Sequence, residues 1–386
     1  MTRVRLSKPL ERVLASGHPW IFRDALAGPL PAPGAVVTVT GARGRFVARG
    51  FADAGPIGVR VLTTRDEPLD AGLLERRVRA AAALRDRVVP EQTTAYRLLH
   101  GEGDRLPGIV CDVYGEHAVL RFDGKGAATW RDALLEILLP VLGDRGVHHL
   151  LERSGRGKQR RVTALLGESP DAPLDVLERG MRLRTDLVAG QKTGLFLDHR
   201  ESRWRVRDLA DGLTVLNLYG YTGGFSAAAG LGGATGVDTV DSAAGAIALA
   251  GDTWRINALD PERHRGHVSD VRAFLEGDAH ASSYDLVIAD PPSFAPAKAK
   301  RKAALGAYRE LHRGALALVN AGGRYLAASC SSHVDREAFE QTVREGARRA
   351  GRRLQVLERW GAPADHPRLA AFPEGDYLKV LLLRVF

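Results

Sequence analysis

Cysteine is scarce in this chain: Cys111 and Cys330 are the only two among 386 residues. Two widely separated cysteines cannot make a disulfide framework, and no zinc-type spacing accompanies them, so no metal site is expected. Such scarcity fits a reducing, cytoplasmic setting. Long apolar runs are missing as well. The longest, such as ALLEILLPVL and YLKVLLLRVF, fall far short of the ~20 residues that a membrane-spanning helix needs. The opening stretch MTRVRLSKPLERVLASG has no apolar core followed by a small-residue cleavage site, so no secretory signal is expected. Acids are outnumbered, 46 against 55 Lys and Arg, for a formal charge of +9. That excess suits a polyanionic partner through phosphate contacts and counterion release, although an arginine-rich composition alone gives the same sum.

What is present is an ordinary globular balance, 45% hydrophobic and 26% charged, in a chain too long for one core. Residues 1–70 alternate apolar and polar positions between glycine and proline turns, as in GAVVTVTGARGRFVARGFADAGPIGVRVLT, and read as a small β-rich module. A helix follows in RDEPLDAGLLERRVRAAAALRDRVV, with Pro68 near its start and Pro90 beyond its end. Residues 71–185 read as a central α/β domain of strands around one helix, AATWRDALLEILLPVL. Its basic loop RSGRGKQRR, 153–161, is a solvated charge run or a phosphate contact. From 186 to 386 strands and helices alternate, which argues for a mostly parallel, Rossmann-like sheet with helices on both faces. Ligands bind such sheets at the carboxyl ends of the strands, and the motifs of this chain gather there.

The first motif is VLNLYGYTGGFS, a strand running into Tyr219, Gly220, Tyr221, Thr222 and Gly223 before a helix. Its glycines let the backbone approach a ligand or simply close a tight turn; the spacing is not G-x-G-x-x-G. Next, TGVDTVDSA offers Asp238 and Asp241. An acid ending the second strand can bind both ribose hydroxyls, and Asp241 is the better placed, with helix capping as its alternative role. Asp270 ends a third strand and can accept from an adenine amine or cap a helix. In DLVIADPPSF, Asp290 is followed by Pro291 and Pro292, which stiffen the turn and remove two donors. Carbonyls and the carboxylate are then left to face a pocket. Cys330, in LAASCSSHV, ends the next strand, so thiol and carboxylate should meet at one sheet edge. Cys330 is a core residue or a nucleophile; Cys111 reads as core.

Together GHPWIFRDAL, YRLLHGEGDRLPGIVCD, GQKTGLFLDHRESR, NLYGYTGGFS, ADPPSF and SCSSH give the chain a resemblance over nearly its whole length. It resembles the PUA-containing family of class I methyltransferases that modify 23S ribosomal RNA at cytosine carbon 5. The resemblance implies an N-terminal PUA domain that helps bind RNA, a central α/β domain, and a Rossmann-like domain holding S-adenosyl-L-methionine. It implies that Asn217, Tyr219, Gly220, Thr222 and Gly223 line the cofactor, Asp241 takes the ribose and Asp270 the adenine. Gln191, Lys192, Phe196, Asp198 and Arg200 would cover the cofactor, with Asp290 and Pro291 beside it. A charged linker is the alternative for that strip. Ser293 stands where many relatives carry Lys. The implied partner is 23S ribosomal RNA or a large-subunit precursor, the implied form a monomer or homodimer.

The expected chemistry is attack of the Cys330 thiolate on carbon 6 of an unpaired or flipped cytosine, which makes carbon 5 nucleophilic toward the methyl group. Asp290 would hold the base edge. His333 is one candidate for the base that removes the carbon 5 proton. Two rivals are a ribosomal RNA methyltransferase acting on guanine or an exocyclic amine, with Cys330 structural, and a non-catalytic RNA-binding protein. A small-molecule methyltransferase fits the basic charge poorly.

Overall fold

The structure is a computed structural model and describes residues 2–155, 159–277, 284–295 and 297–386. Residues 156–158, in the middle of the basic loop, lie outside the described residues. The chain folds as two compact units. One holds residues 1–171, 187–193 and 364–375; the other holds 172–186, 194–363 and 376–386. No described helix is long and apolar enough to cross a membrane.

The first unit carries two sheets. A six-stranded sheet is ordered Trp20–Phe22, Ile57–Thr63, Phe46–Ala52, Val36–Thr40, Thr2–Leu6 and Leu26–Ala27. Its alternating residues Val4, Leu6, Ile21, Val37, Val39, Ala48 and Val59 form one core, as the period-two pattern requires. A second, five-stranded sheet is ordered Arg161–Leu166, His149–Ser154, His117–Phe122, Ile109–Tyr114 and Ala95–His100. The helices Ala71–Val88 and Arg131–Gly143 pack together, and Leu74, Val78, Leu134 and Leu138 join Leu98, Cys111 and Leu120 in its core. The first of these helices is capped by Asp70, whose carboxylate accepts from Leu73 N at 2.9 Å. Cys111 is fully buried, as its apolar context suggests, and burial pushes its thiol pKa far up.

The second unit is built on a seven-stranded sheet: β1 (Thr214–Leu218), β2 (Gly236–Asp241), β3 (His264–Val268), β4 (Tyr284–Ala289), β5 (Val319–Ser329), β6 (Leu354–Trp360) and β7 (Lys379–Val385). The order is β3-β2-β1-β4-β5-β7-β6, parallel except for β7, which runs antiparallel between β5 and β6. The helices are α1 (Arg200–Leu209), α2 (Gly224–Leu231), α3 (Ala244–Ile256), α4 (Val271–Glu276), α5 (Arg301–Ala317) and α6 (Arg336–Arg349). Strand order runs outward in opposite directions from β1 and from β4. Right-handed crossovers therefore put α2 and α3 on one face and α5 and α6 on the other. Tyr308, Leu311, Phe339 and Val343 of α5 and α6 seal their face against Leu216, Val287, Tyr325 and Leu383. The reversal between β1 and β4 opens a crevice at their carboxyl ends, where a doubly wound sheet binds ligands.

The hairpin Leu174–Glu178 and Met181–Thr185 is part of this second unit, whereas the sequence pattern groups residues 71–185 together. The reason is a buried ion pair and three backbone ties. Arg203 of α1 grips Glu178 through Nε–Oε1 at 2.7 Å and a second bond from Nη2 to Oε2, with 6% and 2% of the two side chains exposed. Arg182 N donates to Asn257 Oδ1 at 2.9 Å, Asn257 Nδ2 to Arg182 O at 2.7 Å, and Arg184 N to Thr253 Oγ1 at 3.3 Å. Replacing Glu178 with Gln leaves a buried guanidinium without its counter-charge, and the unit is expected to lose about 3 kcal/mol of stability. Urea unfolding of the variant beside the parent checks this.

Candidate functional site

The crevice begins with a strained turn after β1. Tyr219 and Tyr221 sit at φ of +58° and +47°, in the left-handed region that bulky residues avoid. Three contacts hold them there. Gly220 N donates to Val240 O at 2.9 Å, Tyr221 N donates to Asp241 Oδ2 at 3.0 Å, and Tyr221 Oη donates to Gly194 O at 2.9 Å. Gly223, at φ +77°, lets α2 start against α3: a Cβ there would lie 2.7 Å from that of Ala250. Beneath the turn, fully buried Asn217 donates to Ser226 Oγ at 2.8 Å, and Ser226 meets Thr239 at 2.6 Å. Asn217 Oδ1 is buried with no hydrogen-bond partner among the described residues.

The two acids of the β2 segment part company. Asp238 is spent within the sheet: its oxygens meet His267 Nε2 at 2.6 Å and Tyr284 Oη at 3.0 Å. Asp241 stands at the strand end, oriented by the amides of Tyr221 and Ala243, the latter at 2.9 Å. Asp270 caps α4 by accepting from Arg272 N at 2.9 Å and Ala273 N at 3.2 Å. The capping alternative for this residue is therefore realised. Two residues earlier Val268 is 57% exposed, an apolar side chain left open at the end of β3.

The strip before α1 divides. Gln191 and Lys192 belong to the first unit, where Arg153 donates to the Lys192 carbonyl. Phe196, Asp198 and Arg200 belong to the second. Phe196 meets Tyr221 edge to face at 5.3 Å, and its carbonyl accepts from Arg203 at 3.0 Å. Asp198 and Arg200 are buried, not an exposed linker pair, and Tyr377 Oη donates to Asp198 Oδ2 at 2.8 Å.

Asp290 follows β4, and Pro291 behind it is buried. Its Oδ2 lies 3.1 Å from Nε2 of His199, whose side chain is 2% exposed. The other imidazole nitrogen, Nδ1, is 3.1 Å from Ser202 Oγ. His199 lies inside the GQKTGLFLDHRESR stretch, yet nothing in its own spacing points to a carboxylate 91 positions later.

In the parallel register of β4 and β5, Ala289 pairs with Ala327, so Asp290 and Cys330 leave adjacent strands at the same edge. The residues flanking Cys330 are anchored. Ser329 and Ser331 are fully buried and accept or donate bonds with Tyr308 Oη at 2.8 and 2.9 Å; Ser293 Oγ meets Ser331 Oγ at 3.2 Å. Cys330 between them is only half-buried. Burial pushes the Tyr308 phenol pKa up, and the nearby charges of Cys330 and Asp290 push the same way. Lys379, opening β7, is 2% exposed, donates from Nζ to Ser331 O at 2.7 Å, and is attracted electrostatically to Cys330. Burial pulls its pKa down to about 8, against the attraction of Cys330 and Asp376. No pattern near Lys379 in the sequence marks it. His333 is exposed on its loop.

These features fit S-adenosylmethionine. A carboxylate aimed by two amides suits a ribose diol, and an exposed valine beside it suits an adenine face. A buried carbonyl acceptor and neighbouring carboxylates suit a cationic ligand. Comparison with known proteins agrees. A family model for S-adenosylmethionine-dependent methyltransferases matches residues 140–384, and one for a PUA-like domain matches 4–64. The chain is 35% identical over its whole length to Ribosomal RNA large subunit methyltransferase I of Shewanella denitrificans, covering 99% of that protein. It is 35% identical to the protein of the same name from Salmonella arizonae, covering 99% of this chain and 97% of that one. Among solved structures, a candidate SAM-dependent methyltransferase from Streptococcus mutans matches all of both chains with a TM-score of 0.88 at 24% identity. A candidate methyltransferase complexed with SAH matches all of both chains at 0.89, also with 24% identity. The chain belongs to the PUA-containing, S-adenosylmethionine-dependent methyltransferase family whose curated members carry the name Ribosomal RNA large subunit methyltransferase I.

Proposed function

We propose that this enzyme methylates carbon 5 of a cytosine in the 23S RNA of the large ribosomal subunit through a transient bond to Cys330. The names of the full-length relatives support the substrate class. The observation that carries the chemistry is the half-buried Cys330 set between two anchored serines, with the Lys379 ammonium and the Asp290 carboxylate at the same sheet edge.

Asn217, Tyr219, Gly220, Thr222, Gly223, Asp241 and Asp270 would hold S-adenosylmethionine, with Phe196, Asp198, Arg200 and Pro291 around it. When bound, it supplies an electrophilic methyl group. The PUA-like region, 4–64, would bind RNA, and the second unit would carry the chemistry. Carbon 5 of cytosine is a poor nucleophile while the ring is aromatic. Attack by the Cys330 thiolate at carbon 6 forms a sulfur–carbon bond and moves electron density to carbon 5. Asp290, steadied by His199, holds the polar edge of the base as charge redistributes. After methylation a base takes the carbon 5 proton, the sulfur–carbon bond breaks and the thiolate returns. The Lys379 ammonium stabilises that thiolate at neutral pH.

Incubating unmodified 23S RNA with enzyme and isotope-labelled methyl donor tests the reading. Nucleoside mass spectrometry is expected to find the label in 5-methylcytidine; label in a methylguanosine or an N-methylated base would refute it. A second outcome concerns Lys379. Lys379→Met is expected to lose about 10- to 100-fold in rate at pH 7.5. It should regain much of this toward pH 9.5, because an ordinary thiol ionises near ~8.5 without help. The pH–rate profiles of variant and parent check it.

A further inference from the structure

The first unit carries a charged groove of its own. A groove of about 420 Å³ lies along the helix Ala71–Val88 and is lined by Arg65, Arg76, Arg77 and Arg105, with Glu67 and Asp104. Arg77 forms its buried element, 5% exposed. Its Nη1 donates to Arg105 O at 2.5 Å and its Nη2 to Leu62 O, both uncharged acceptors, and its Nε is buried without a partner among the described residues. A guanidinium in that position makes no ion pair among the described residues, and only Glu67, across the groove, offsets part of its charge. Burial, then repulsion from Arg105, draws its pKa down to about 10 against the pull of Glu67.

The two acids do not neutralise the groove. Asp104 is gripped by Arg85 through paired bonds of 2.6 and 2.7 Å. Glu67 accepts from Thr63 Oγ1 at 2.6 Å and makes no ion pair among the described residues. Arg65, Arg76 and Arg105 are exposed at the rim, and none pairs with a carboxylate among the described residues. A buried cation ringed by three exposed ones is complementary to a row of phosphates, which guanidinium forks bind two oxygens at a time.

We infer that this groove binds the phosphodiester backbone of the RNA substrate, with Arg65, Arg76 and Arg105 contacting phosphates above Arg77. The contact is sequence-independent and sets position, not base choice. The inference rests on the RNA-directed reading above.

The test uses the full chain carrying Arg65→Ala, Arg76→Ala and Arg105→Ala together, all surface positions, and a fluorescent fragment of 23S RNA titrated between 50 and 200 mM salt, the range over which ~6–10 phosphate contacts are resolved. The plot of log affinity against log salt should become shallower by about 2–3, the loss of three phosphate contacts. Affinity at 100 mM salt should fall roughly 10- to 100-fold, with S-adenosylmethionine binding unchanged by calorimetry. An unchanged slope and affinity would overturn the groove while leaving the RNA reading intact. A parent protein that binds no RNA at any salt would overturn both.

Discussion

Cys330→Ala is expected to lower methyl transfer by about 10⁴-fold or more, the scale on which removal of a covalent nucleophile acts. The expectation follows from the chemistry of the base: without addition at carbon 6, carbon 5 keeps its aromatic character and does not attack a methyl donor. Binding should survive. Cys330 is half-buried between two fully buried serines that Tyr308 fixes. Calorimetric titration with S-adenosylmethionine should therefore give the parent affinity, and the unfolding midpoint should move little. Single-turnover assay with labelled methyl donor reads the rate. Retention of near-parental activity would instead favour a target atom that needs no adduct, such as an exocyclic amine.

Asp290→Asn is expected to cost about 10³-fold in kcat, the upper range for removing one oriented group that stabilises developing charge. The amide keeps the size of the side chain and cannot carry the negative charge that the proposed mechanism sets against the base. It also changes what His199 meets at 3.1 Å, so the imidazole loses its charged partner. If the group acts on the ring during the reaction, as proposed, the loss should fall on kcat, with KM for RNA nearly unchanged. A rise in KM at constant kcat would assign Asp290 to ground-state binding alone.

Most of the architecture was legible in the pattern of residues. Alternating strands and helices after residue 186 imply the parallel sheet, and adjacency of two strand ends alone puts Asp290 and Cys330 at one edge. Position in the chain separates Asp241 from Asp238, and in the sheet Asp238 is bonded to His267 and Tyr284 while Asp241 stands at the strand end. What escaped were partners that only tertiary packing supplies. His199 reaches Asp290 from the segment before α1, and Lys379 reaches the Cys330 segment from a strand that enters the sheet antiparallel, 49 positions later. Neither has a local spacing, because neither shares an element with its partner. The hairpin at 174–185 escaped for the same reason: its strands look like their predecessors in the chain, and the Glu178–Arg203 pair that claims them joins distant residues. Asp270 shows the reverse case, a residue whose capping role was readable from its place before a helix.

The central claim is a bond between Cys330 and carbon 6 of a cytosine, and trapping tests it most directly. A 23S RNA fragment made with 5-fluorocytidine offers a carbon 5 whose fluorine cannot leave as a proton does, so an adduct formed and methylated there persists. Incubation with enzyme and S-adenosylmethionine, protease digestion and mass spectrometry should find the fluorinated, methylated nucleotide attached to the peptide containing Cys330. Quantitative recovery of that peptide unmodified, from enzyme that methylates ordinary RNA in parallel, would contradict the account.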